Sequence, residues 1–219
     1  MIEIEDLFFI AIVFLVIMPF IKSLKNNLAF TSTNPSMPPF ISQPVTKNSY
    51  SNYNPGLVQH TIFELMETMH IMNTSNAVDT IIGRYPILIH SITYLKSLQN
   101  NPRYRSDIQF AIDNYKKVYY DRIPYDFQLA VLINPFRFDI SFFYCNCLLN
   151  GLRNFVNEQT VEINSSPNND AKRRRINKII SVIQAVRKEL LEKCNTIQNL
   201  SSLVEQLNNT EVGYRNLSV

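Results

Sequence analysis

Residues Leu7 to Ile21 form an unbroken apolar run, Leu-Phe-Phe-Ile-Ala-Ile-Val-Phe-Leu-Val-Ile-Met-Pro-Phe-Ile. A helix that is apolar on every side has to be hidden from water, by lipid or by protein. Glu3, Glu5 and Asp6 precede the run, and Lys22 and Lys25 follow it. At about 1.5 Å per residue it extends roughly 22 Å, whereas a full bilayer span takes about 20 residues. It suits a thin bilayer, or a helix whose Lys22 and Lys25 snorkel to the interface. Leu7, Phe8, Phe9, Ile12, Phe14, Leu15, Ile17, Phe20 and Ile21 are the residues expected to meet lipid. Pro19 lies near the exit, where a kink leaves the centre of the helix intact.

Two other readings compete with a membrane span. A cleaved signal peptide calls for a positive start and a small-residue cleavage site, but this start is acidic and Thr31-Ser-Thr33 is a poor cleavage signal. A helix buried among neighbouring subunits is the other. For a span, the cations after the run place the body of the chain on the cytoplasmic side.

Residues 31–56 carry Pro35, Pro38, Pro39, Pro44 and Pro55 among Ser, Thr, Asn and Tyr. Such a stretch is extended or polyproline-like and forms no core. What remains suffices for one domain. Gly is scarce, at 4 residues, which disfavours glycine-rich phosphate loops and turn-rich barrels. The net charge of +3 is too small for a polycation that wraps nucleic acid, and no specific nucleic-acid partner is expected.

From residue 57 the apolar spacing is helical. Leu57, Val58, Ile62, Leu65, Met66, Met69 and Met72 predict a helix over 57–72. Ser75 is placed to cap a short helix stopped near Gly83, and Pro86 to open another through Leu98. Ile108, Ala111, Ile112, Tyr115 and Val118 mark a further helix. Residues 125–150 read as two helices split at Asn134-Pro135, with Asp139 as the second cap and an end near Phe155; a short hairpin is the alternative. Residues 157–169 read as an exposed loop. The last helix, about 170–209 and capped by Asp170, has the clearest pattern. Ile176, Ile179, Ile183, Val186, Leu190, Ile197, Leu200, Val204 and Leu207 follow alternating spacings of three and four, with Lys193 as the polar residue in register. Ile180, Val182, Leu191 and Leu203 widen the stripe, so both an intramolecular bundle and an oligomeric coiled coil fit it. The expected fold is thus mainly α: a single transmembrane helix (1–30), an extended Pro-rich linker (31–56) and a helical domain (57–219) ending in a long coiled-coil-like helix.

The chain carries no HExxH, P-loop, GxSxG or dinucleotide-binding pattern. His60 and His70 are not at the spacing of a metal pair. Cys145, Cys147 and Cys194 read as small core hydrophobes, and their odd number fits a reducing compartment. The expectation is therefore a non-enzymatic chain with no catalytic residues, metal or cofactor. Lys172-Arg173-Arg174-Arg175 is the one concentrated charge feature. Cations at a helix start oppose the macrodipole, which points to an acidic or phosphate-bearing partner. Tyr104, Tyr115, Lys116, Lys117, Tyr119, Tyr120 and Arg122 mix aromatic and basic character in the manner of a protein interface.

In layout, with the Leu7–Ile21 run, the proline-rich stretch and an Asn- and Ile-rich helical body, the chain resembles the membrane-anchored minor capsid proteins of large icosahedral double-stranded DNA viruses. The resemblance covers layout and composition, with no diagnostic motif. It implies a structural protein of the virion that ties an internal membrane to the capsid lattice, with capsid proteins as partners; a homo-oligomer is the separate expectation that the C-terminal stripe leaves open. An accessory single-pass subunit of an organellar membrane complex has the same layout and is the alternative.

Overall fold

A computed structural model describes residues 53–118 and 126–217. The expected anchor, most of the proline-rich stretch, and Tyr119, Tyr120 and Arg122 lie outside the described residues. Those described fold into seven α-helices and one 3-10 turn, with no strand among them. In chain order these are α1 (Pro55–Thr74), α2 (Val78–Leu98), α3 (Tyr104–Val118), α4 (Asp126–Ile133), the 3-10 turn Pro135–Arg137, α5 (Ile140–Ser165), α6 (Asn169–Lys193) and α7 (Leu200–Leu217).

The first helix begins at Pro55, two residues before the expected start. Asn54 caps it by accepting from the Gly56 and Leu57 amides at 3.0 and 3.3 Å. Pro55 opens the helix, where the missing N–H would have had no partner. α1 packs against α2 and α3 and also touches α4 and α5. This central position explains its fully buried Val58, Ile62, Leu65 and Met69.

α2 corrects the expectation of two helices meeting near Gly83 and Pro86. It runs unbroken through both. Val78, Ile81, Tyr85, Leu88, Ile92 and Leu95 keep spacings of three and four across the expected break, so one continuous stripe packs onto the core. Gly83 and Pro86 lie on the exposed side, where water can satisfy the carbonyl that Pro86 leaves unbonded. Ser75 is not the cap of α2. Ala77 holds that place without a side-chain bond, while the Ser75 hydroxyl accepts from the Ala77 amide at 3.1 Å.

The split at Asn134-Pro135 and the Asp139 cap stand as expected, with Asp139 accepting from the Phe142 amide at 3.0 Å. α5 then continues ten residues past Phe155 to Ser165, so most of the expected 157–169 loop is helix. Val156 and Gln159 are buried there, which ties that stretch to the core. Asn168, not Asp170, caps α6 and accepts from the Asp170 and Ala171 amides.

The largest departure is at the C-terminus. The expected single helix over 170–209 is two helices, folded back at Cys194–Asn199. Asn199 takes a left-handed backbone, φ 65°, a conformation Asn tolerates better than most residues. Folding back packs α7 on α6 and buries Leu203, Leu207 and Tyr214, whereas a straight extension would leave that stripe in water. The helices thus stack in series, α1 on α2, α2 on α5, α5 on α6 and α6 on α7.

Candidate functional site

The basic tetrad occupies the first turns of α6. Arg175 forms a surface ion pair with Glu162 of α5. Arg174 reaches its own helix, with Nε 3.4 Å from the Asp170 carbonyl oxygen. Lys172 and Arg173 have no carboxylate within ion-pair distance among the described residues. Asp170 in the same turn offsets part of the conflict with the macrodipole. One cation of the four is therefore paired with a carboxylate, while Arg173 and Arg174 are exposed and Lys172 is half-buried.

The expected helix-packing seam divides at the fold-back. Ile176, Ile179, Ile183, Val186 and Leu190 of α6 are all buried. Ile197 lies in the turn, and Leu200 and Val204 are only half-buried; in α7 the buried line is Leu203, Leu207, Glu211 and Tyr214. The spacing of three and four carries on through residues 194–199 in sequence but not in space.

Two polar clusters lock the last three helices. On α6, Glu189 accepts from the Tyr144 hydroxyl at 2.6 Å and from Lys193 Nζ at 2.7 Å. Lys193 also lies 5.2 Å from the centre of the Tyr85 ring, which is 4.2 Å from the Tyr144 ring. Burial alone would push the Glu189 carboxyl up. The hydrogen bonds from Lys193 and Tyr144 outweigh that and hold it below the usual carboxylate range. The bond to Glu189 raises Lys193. Burial, with the same carboxylate, raises Tyr144. Each group is moved away from neutrality, the reverse of what proton transfer near pH 7 asks for. This cluster is a clamp between α2, α5 and α6. Lys193 in an otherwise apolar register, with Glu189 four residues before it, is the signal by which it could have been found.

The second cluster centres on Glu211 of α7, which is 6% exposed. It binds Gln184 at 2.6 Å, Arg187 at 2.7 Å and Arg215 at 2.7 Å. Burial works to raise Glu211, but these partners prevail and hold it low. α7 is thereby fixed to α6 by charge as well as by Leu203 and Leu207.

The aromatic–basic mixture on α3 separates into two roles. Tyr104 and Tyr115 are 2% and 3% exposed, so they are core residues and not surface anchors. Tyr104 donates to the Leu132 carbonyl oxygen at 3.2 Å, and burial raises its phenol. Lys116 and Lys117 are exposed. Large apolar side chains left in water include Phe110 and Val118 of α3, Ile133 of α4 and Phe136 of the 3-10 turn.

Cys145, Cys147 and Cys194 are buried thiols. No cluster of three or more His, Cys, Asp or Glu side chains suited to a metal occurs among the described residues. No helix among them is long and apolar enough to cross a membrane; Leu7–Ile21 falls outside that set. No family model, no curated protein and no solved structure matches this chain.

Proposed function

We propose that this chain is a non-enzymatic structural tether. Residues 7–21 enter a bilayer, the proline-rich stretch acts as a spacer, and the helical body binds an overlying protein assembly. The observation that carries the reading is the apolar run with acidic residues before it, lysines after it and a proline-rich stretch beyond. The body supports it in two ways. The buried carboxylates Glu189 and Glu211 are consumed in clamps between helices. Lys172, Arg173 and Arg174, with Phe110, Val118, Ile133 and Phe136, offer charged and apolar surface to acidic and protein partners. The assembly that suits this layout best is the capsid of a large DNA virus, with the chain as a minor capsid protein between an internal membrane and the lattice, its C-terminal body on the cytoplasmic side.

Fractionation of the native source in mild detergent tests the assembly. A structural virion protein co-purifies with particles at a copy number tied to the lattice and stays through a salt wash. Migration with a single large membrane complex replaces this reading with that of an organellar accessory subunit. A monomer without partners removes the assembly role altogether.

A further inference from the structure

Cys194 is the residue at which α6 ends, immediately before the chain folds back. Its thiol donates to the Ser141 carbonyl oxygen on α5 at 3.5 Å. Ser141 reaches back, its hydroxyl donating to the Lys193 carbonyl oxygen at 3.1 Å. The end of α6 and the start of α5 are thus held together by two reciprocal bonds. Cys145 lies one helical turn beyond Ser141, and a helical side chain leans back over the preceding turn. The Cys194 sulfur, 3.5 Å from the Ser141 carbonyl oxygen, therefore lies beside the turn of α5 that carries Cys145. Cys147, two residues further, points to a different side of α5, because residues two apart do not share a helical face. It is also buried, at 1% exposure.

We propose that Cys145 and Cys194 are a cross-linking pair. Under oxidising conditions they form one disulfide that fastens α5 to the fold-back between α6 and α7. The oxidant is a small-molecule disulfide of the glutathione type. One protein thiolate attacks it, forming a mixed disulfide and releasing one small thiolate. The second protein thiol then displaces the other small thiolate. One sulfur–sulfur bond is broken and one is made overall, two small thiols carry off the two protons, and the protein loses two electrons to the reagent. Ring closure needs a sulfur–sulfur bond of about 2.05 Å, reached by rotating side chains that neighbouring positions of α5 and the end of α6 carry. Both thiols are buried, so exchange proceeds through local opening of the fold-back, the end of the series of described helices. The cross-link acts on stability, by closing a loop of several tens of residues, and stands independently of the tether reading.

The test uses the full-length chain, reduced and then incubated natively with oxidised glutathione, quenched with acid, unfolded, alkylated and mapped by mass spectrometry. The expected result is a linked peptide pair joining Cys145 and Cys194, with Cys147 alkylated. The thermal midpoint of the cross-linked chain should rise by roughly 10 °C over the reduced chain. Cys147→Ser should retain both the link and the shift, and Cys194→Ser should lose both. Alkylation of all three thiols, a link through Cys147, a link between copies, or a cross-linked chain no more stable than the reduced one overturns the proposal. The mapping of the unaltered chain decides the pairing even if a variant fails to fold.

Discussion

Gly151 sits where α5 crosses α2, and replacing it with alanine sets two known effects against each other. A Cβ at that position would lie 2.5 Å from Ile81 Cδ1, 3.5 Å from the Ser75 carbonyl oxygen and 3.7 Å from Val78 Cγ2. The first contact is far inside van der Waals distance. Ile81 is fully buried, so its tip has little room to swing away. Overpacking of this kind costs about 1–3 kcal/mol. Alanine in place of glycine inside a helix returns about 1 kcal/mol. The net expectation for Gly151→Ala is a loss of up to about 2 kcal/mol. Ile81→Val deletes the clashing methyl at a cost of about 0.5–1.5 kcal/mol by itself. In that background only the propensity gain and two ordinary contacts remain. Gly151→Ala should then become stabilising, giving a coupling of roughly 1–3 kcal/mol between the two sites. Denaturant unfolding of the four full-length chains, followed by far-ultraviolet circular dichroism, measures it. Equal effects of Gly151→Ala in both backgrounds would refute the reasoning, since they would mean that the Ile81 tip does not define the closest approach of α2 and α5.

Other outcomes follow from the same structure. Glu211→Gln removes the charge that Arg187 and Arg215 share, and should lower stability by about 1–2 kcal/mol, with hydrogen-exchange protection lost first in α7. The folded-state Glu211 carboxyl is held below its ordinary value of 4.5, so its contribution is present above that pH and disappears as pH falls through the lower folded value. Acid titration should loosen α7 before α1, and Glu211→Gln should flatten that part of the profile. Asn168→Ala and Asp139→Ala each remove a helix cap and should each cost about 1 kcal/mol, measured by the same unfolding assay. Replacing Lys172, Arg173 and Arg174 together with alanine should leave stability within about 0.5 kcal/mol. It should weaken binding of the chain to vesicles rich in anionic lipid, with a reduced dependence on salt; unchanged binding would remove the tetrad as an acidic-partner contact.

Much of the body was legible because its stripes recur at helical spacing wherever a helix buries one side. That held for α1 and α3, and for the pair of helices divided at Asn134-Pro135, where proline and a capping Asp139 coincide. Local signals misled where packing overruled them. Gly83 and Pro86 look like a stop and a start, yet they lie on the outer side of α2 while Val78, Ile81, Leu88 and Ile92 carry one stripe past them. The opposite error arose at residues 194–199, where the regular spacing of apolar residues runs on and no Gly or Pro interrupts it. What breaks the helix is the gain from burying Leu203, Leu207 and Tyr214, a tertiary effect with only Asn199 as its local sign. The clamp around Glu189 was half visible, since Lys193 stood out in an apolar register. Tyr85 and Tyr144, which complete it, come from helices far away in sequence. Tyr104 and Tyr115 suit an interface as well as a core on sequence alone, because an aromatic beside a cation does not reveal which side of its helix it occupies.

The central claim is that residues 7–21 fasten this helical body to a bilayer. Flotation of the full-length chain with liposomes after an alkaline wash, beside a chain lacking residues 1–30, tests it most directly. The full-length chain should rise with the lipid and the shortened one should remain at the bottom of the gradient, still helical. A full-length chain that stays at the bottom and remains soluble without detergent would contradict the claim, and would make Leu7–Ile21 a helix sheltered by protein instead.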